Sequence, residues 1–186
     1  MPTGVAGITC NVSDDKGHSA SSQTNVTIEA PPPPPQPHAQ ALCSINFSGD
    51  PRRPTRVDNE AKACLDQVAL DLKQQADSKA VLVGESNDKE KAITAREQKF
   101  AERHKRAKVE QFADQRAVNA KDYLVTEQGI DASRISVATM PADGQTVQDY
   151  LVPAGANFSA DVSGTTPVDE TAVKPETRKP LPERHR

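Results

Sequence analysis

The sequence predicts a two-layer α/β sandwich, an α+β domain with a mixed sheet, on three observations. Short apolar runs alternate with helically periodic segments between residues 41 and 152, the connections between the early strands are of helical length, and the last connection is short. Long crossovers imply parallel pairing of the early strands, and a short link permits an antiparallel pair at the end. The expected order is β-α-β-α-β-β, with the helices on one face.

The first strand is Ala41–Phe47, where apolar and polar residues alternate, and a polar, proline-bearing loop from Ser48 to Arg56 follows it. A helix comes next. Asp58 is expected to cap it, and Ala61, Leu65, Val68, Leu72 and Ala76 form one apolar stripe with Cys64 beside it. Ala80–Val83 is a continuous apolar run, as expected of a strand covered on both sides, and Gly84 ends it. The second helix carries Ala113, Ala117, Ala120 and Leu124 on one stripe and stops at Gly129, the residue type best suited to a left-handed helix end. Ile135–Thr139 and a run within Thr146–Val152 are the last two strands, joined through a turn at Asp143-Gly144.

Three flanking segments read differently. Residues 1–30 alternate apolar and polar on either side of a turn at Asp14-Asp15-Lys16-Gly17, which predicts a β-hairpin too small to be stable alone. Residues 31–40 are a linker, because Pro31–Pro35 and Pro37 favour an extended spacer, the alternative being a ligand for a proline-recognising module. Residues 162–186 carry Pro167, Pro175, Pro180 and Pro182 among charges with no apolar period, and are expected to be disordered. The folded domain is thus placed at 41–161.

Lys89 to Gln111 stands out as a charged insertion. It holds eight Lys or Arg against four Asp or Glu, a local charge of +4 in a chain of net charge -3, and contains neither Gly nor Pro. That predicts a helical extension running towards the second helix, with Phe100 and Phe112 as its apolar anchors. Arg103, Lys105, Arg106 and Lys108 make a basic patch, but aromatic interleaving is lacking, so no nucleic-acid partner is expected.

Catalysis and metal binding are not expected, and neither is a cofactor. His18, His38, His104 and His185 lie in separate segments, and no GxSxG, HExxH or phosphate-cradling glycine loop occurs. Cys10, Cys43 and Cys64 show no CxxC spacing. In an oxidising compartment Cys43 pairs with Cys64, a cross-link that stabilises by roughly 3 kcal/mol; otherwise both are buried free thiols. No apolar run is long enough to cross a membrane as a helix, and the opening residues, which lack the pattern of a secretion signal, are read as the cut end of a longer exported parent.

The helix and turn reading Gln115-Arg116-Ala117-Val118-Asn119-Ala120-Lys121-Asp122-Tyr123-Leu124, then Gly129-Ile130 and Ile135-Ser136, resemble the OmpA-like peptidoglycan-associating domain. Ile45-Asn46-Phe47 and Val81-Leu82-Val83-Gly84 are similar to its first two strands, so the resemblance covers about residues 41 to 152. The hairpin sequence Ile8–Gly17 resembles the last two strands of a bacterial immunoglobulin-like repeat.

The first resemblance implies a non-catalytic module of the Gram-negative periplasm that binds the diaminopimelate stem peptide of peptidoglycan and ties the outer membrane to the cell wall. It implies an Arg for the ligand carboxylate, whose planar fork donates two parallel hydrogen bonds, and an Asp after the second strand for the ammonium. Arg116 matches the Arg. Ser86, Asn87 and Asp88 occupy the loop of the Asp, with Asn87 at its position and Asp88 one residue later, and the family's late Asn-Arg-Arg motif has no counterpart near Val147–Val152. The second expectation is therefore the same fold with a degenerate ligand site, acting as a protein-interaction module through residues 89–111.

Overall fold

In this computed structural model residues 3–29, 35–104, 109 and 111–176 are described. The chain divides into two units, Met1–Pro35 and Gln36–Arg186. The first is the hairpin, in which β1 (Gly4–Ser13) pairs antiparallel with β2 (Ser19–Ile28). Its turn closes where Asp14 Oδ1 accepts from the backbone N–H groups of Lys16 and His18 and Gly17 takes a positive φ of 83°.

The second unit is mixed α and β. Its elements are β3 (Gln40–Asn46), α1 (Asn59–Gln74), β4 (Lys79–Gly84), α2 (Asp88–Arg103), α3 (Phe112–Thr126), β5 (Ile135–Thr139), β6 (Thr146–Val152), the short α4 (Phe158–Asp161) and β7 (Thr166–Pro167). Asp58 caps α1 by accepting from the Ala61 N–H at 2.9 Å, and Ala61, Leu65, Val68 and Leu72 are buried in one stripe. Ala76 lies beyond the helix end and is exposed.

The five strands lie in the order β3-β6-β4-β5-β7. β4 and β5 are parallel, as a helical crossover requires. The expected parallel pairing of β3 with β4 and hairpin pairing of β5 with β6 do not occur: β6 inserts between β3 and β4 and is antiparallel to both. The turn at Asp143-Gly144 carries the chain past one strand, β4, to its place, a connection that loop length alone does not reveal.

Residues alternate along β6, and Val147, Asp149 and Leu151 face the helical layer. There Ile45, Leu82, Ile135 and Val137 meet Leu65, Val68 and Leu72 of α1 and Ala117, Ala120 and Leu124 of α3 in the main core. On the opposite face Val81, Val83 and Ala138 are covered by Met140, Tyr150, Val152 and Phe158, so β4 is buried on both sides.

The C-terminal segment departs from its expected disorder. Thr166–Pro167 pairs with β5, Val173 enters the core, and Glu176 accepts from the Thr55 hydroxyl at 2.7 Å. Order here comes from partners distant in sequence, which proline content and missing periodicity do not report. Residues 177–186 lie outside the described residues, as do Pro31–Pro34.

The inserted segment is helical from Asp88 to Arg103, but Phe100 is not an anchor, being 56% exposed with its ring tilted against that of His104. Phe112 is buried at the start of α3. Of the expected basic patch, Arg103 ends α2, while Lys105, Arg106 and Lys108 lie outside the described residues. No helix among the described residues is long and apolar enough to cross a membrane.

Candidate functional site

Four segments converge where β4 ends. Gly84 lies so close to α3 that a Cβ on it would stand 2.1 Å from the Ala113 carbonyl oxygen, which brings the first turn of α3 down onto the strand end. Arg116, one turn into α3, therefore points into the junction of β4, the loop before α1 and the first turn of α2.

Arg116 is completely buried. Its Nε donates to the Pro54 carbonyl at 2.8 Å, and Nη1 donates to the Glu85 carbonyl and to Glu90 Oε2, both at 2.9 Å. Nη2 donates to Glu90 Oε1, completing a two-pronged ion pair. The rings of Phe47 and Phe112 stand 5.5 and 6.0 Å from the guanidinium carbon. Gln145 Nε2 donates to Glu90 Oε1 at 2.8 Å, so both carboxylate oxygens are engaged.

The loop residues expected to meet a ligand are employed otherwise. Asn87 caps α2, its side chain accepting from the Glu90 N–H at 3.0 Å while Glu90 accepts from the Asn87 N–H in a capping box. Asp88 is exposed, with its carboxylate 3.3 Å from Lys91 Nζ and its N–H donated to Asp143. Ser86 is half-buried in the loop between β4 and α2. The carboxylate that faces Arg116 is thus not that of Asp88 but that of Glu90, a residue outside the pattern that carries the resemblance. The one cue to it in the sequence is the Asn-x-x-Glu spacing of the capping box.

Glu85 is buried beside this junction, accepting from the Thr146 hydroxyl at 2.7 Å and from Gln148 at 3.3 Å. Asn119, one turn after Arg116, donates to the Thr55 carbonyl and accepts from the Glu176 N–H. The whole region is a set of closed polar contacts that join the loops to α3.

A second polar cluster lies inside the sheet layer. Cys43 on β3 and Cys64 on α1 form a disulfide, with Cα atoms 6.1 Å apart. Asp149, in register with Cys43, is completely buried, and its Oδ2 lies 3.1 Å from Cys64 Sγ and 3.5 Å from Cys43 Sγ. Its Oδ1 is the one buried side-chain polar atom among the described residues without a hydrogen-bond partner. Burial pushes its carboxyl well above the usual carboxylate range. Cys43, Cys64 and Asp149 are also the one group of three potential metal ligands among the described residues, but sulfurs bonded to each other are not the thiolates that ligate metal. Cys10 is a free, exposed thiol on β1.

Compared with known proteins, the chain matches no family model and no curated relative.

Proposed function

We propose that the chain is a non-catalytic cell-envelope module of the OmpA-like kind, working in the periplasm of a Gram-negative bacterium, whose ligand is a protein surface rather than the peptidoglycan stem peptide. The OmpA-like part of this reading rests on the Arg116–Leu124 helix, the Gly129-Ile130 turn and the Ile135-Ser136 strand start. The choice of ligand rests on one observation, the buried ion pair of Arg116 with Glu90. A diaminopimelate carboxylate would have to displace Glu90 to reach Arg116, and Asn87, fixed in the capping box, offers no charge to the ammonium.

The surface offered instead is α2. It is held by its first turn, where Glu90 is its one buried residue, and exposes Arg96, Lys99, Phe100 and Arg103 beyond it. A cationic face with one aromatic ring suits an acidic protein partner.

Sedimentation with purified sacculi tests the choice. The chain should stay in the supernatant, with or without free diaminopimelate. It should capture a partner from an envelope extract, and lose it when Arg96, Lys99 and Arg103 are all changed to Glu. Pelleting that free diaminopimelate competes away would overturn the reading and restore the stem peptide as ligand.

A further inference from the structure

We propose that Cys43, Cys64 and Asp149 form a thiol–disulfide exchange site, in which the Asp149 carboxyl passes a proton to the sulfur released when the disulfide opens and takes one back when it closes. The inference is independent of the OmpA-like reading. The Asp149 carboxyl group is in the wrong place for a structural disulfide. Asp149 sits at an inward position of β6 with Val147 and Leu151 on either side along the same face, and Leu82 opposite it on β4. A disulfide sulfur carries no hydrogen, so in the oxidised state neither sulfur donates to Oδ2, and Oδ1 has no partner at all. A buried carboxyl with one oxygen unpartnered and the other facing only disulfide sulfurs, which are weak acceptors, is costly, and a cross-link has no use for it.

The same geometry becomes favourable when the disulfide is reduced. Two thiols then lie against Oδ2 and each has a hydrogen to give it. From β3 and α1 the titratable groups against Asp149 are the two sulfurs; β4 presents Leu82, and α3 lines the core with Ala117, Ala120 and Leu124. Burial alone raises the carboxyl well above the usual carboxylate range, which favours the protonated form that can give a proton to the sulfur beside it.

The co-reactant is a small dithiol. Its thiolate attacks Cys43 on edge strand β3, a bond forms to that sulfur, and the Cys43–Cys64 bond breaks with its electron pair going to Cys64 Sγ, the sulfur nearer Asp149. Cys64 takes the Asp149 proton and becomes a thiol, and the carboxylate accepts its hydrogen bond. The second thiolate of the dithiol then attacks the mixed disulfide, leaves as a cyclic disulfide, and releases Cys43, which is protonated from solvent. Asp149 regains a proton from solvent. The dithiol has lost two electrons and two protons and the protein has gained both.

The test uses the full chain with Cys10→Ser, so that only Cys43 and Cys64 report. Reduction by dithiothreitol is followed by alkylation and mass shift across the pH range, normalised to the thiolate fraction of the reductant, for this protein and for Asp149→Asn. The Asn variant should reduce about tenfold more slowly at acidic pH, below the usual yield of general acid catalysis because a thiolate is already a fair leaving group. That ratio should fall towards one as pH rises and Asp149 loses its proton. A ratio constant with pH overturns the proposal, as does reduction no faster than unfolding followed by circular dichroism. Should Asp149→Asn fail to fold, the infrared band of the protonated carboxyl in the unsubstituted chain decides: it should shift or vanish on reduction, and an unchanged band overturns the proposal.

Discussion

Replacing one member of the Arg116–Glu90 pair tests whether this arginine is structural. Arg116→Met removes four donated hydrogen bonds at once, leaving the Pro54 and Glu85 carbonyls without that donor and the Glu90 carboxylate without its counter-charge. Breaking a buried pair from one side costs about 3–5 kcal/mol, because the surviving charge stays buried. A domain of this size loses about 2–4 °C in melting temperature per kcal/mol, so the midpoint should fall by about 6–20 °C. Glu90→Leu should cost a similar amount, since it strands the guanidinium. The double variant Arg116→Met/Glu90→Leu should recover most of the loss, because exchange of both charges for apolar groups is often neutral. Chemical denaturation of all four proteins with the disulfide intact gives the coupling energy, expected at about 2 kcal/mol or more. Single variants that each cost less than about 1 kcal/mol and simply add would refute the reasoning, because that is how a solvated arginine kept open for a ligand behaves.

Two further perturbations follow from the same geometry. Gly84→Ala drives a methyl group to 2.1 Å from the Ala113 carbonyl oxygen, and because that obstacle is backbone, α3 must shift; the expected cost is about 1–3 kcal/mol, read by urea denaturation, and a change below about 0.5 kcal/mol would show that the contact is not tight. Asp149 gives a pH dependence of definite sign. Its folded carboxyl is raised by burial, so the stability it contributes is complete below the ordinary carboxylate pKa of about 4 and is lost as pH rises through the folded value. Asp149→Asn does not titrate, so its denaturation midpoint should gain on that of the unsubstituted oxidised protein as pH rises from about 4 to about 8; parallel curves would show that Asp149 titrates alike in both states.

The helices and most of the strands were legible because local signals agree with the tertiary outcome. Asp58 at the cap, the stripe from Ala61 to Leu72, and the Gly129 end, where Gly129 takes φ of 69° and the Ile130 N–H returns to the Leu124 carbonyl, all act within a turn or two. Sheet order was not legible. The place of β6 between β3 and β4 is fixed by pairing with strands remote in sequence, and every candidate neighbour offers the same backbone groups. The C-terminal segment is illegible for a related reason: Val173 is ordered by the core it enters and Glu176 by Thr55 and Asn119, and nothing in their own vicinity announces it.

The candidate sites show where sequence patterns stop carrying chemistry. A motif places Arg116 on a helix and in a register, but whether its guanidinium meets solvent is decided by Glu90, on an inserted helix outside the motif. The relevant signal was present as Asn87-x-x-Glu90, a spacing that commits the asparagine to a helix cap and turns the glutamate back towards the loop. Asp149 left a different trace. In a strand whose inward residues are Val147, position 149 and Leu151, a carboxylate breaks the alternation, and a broken local rule with no structural gain marks a place where chemistry is the reason. The two half-cystines that meet it come from β3 and α1, remote in sequence. Only the insertion of β6 beside β3 brings Asp149 into register with Cys43, so the fold feature that sequence could not supply is the same one that assembles the redox site.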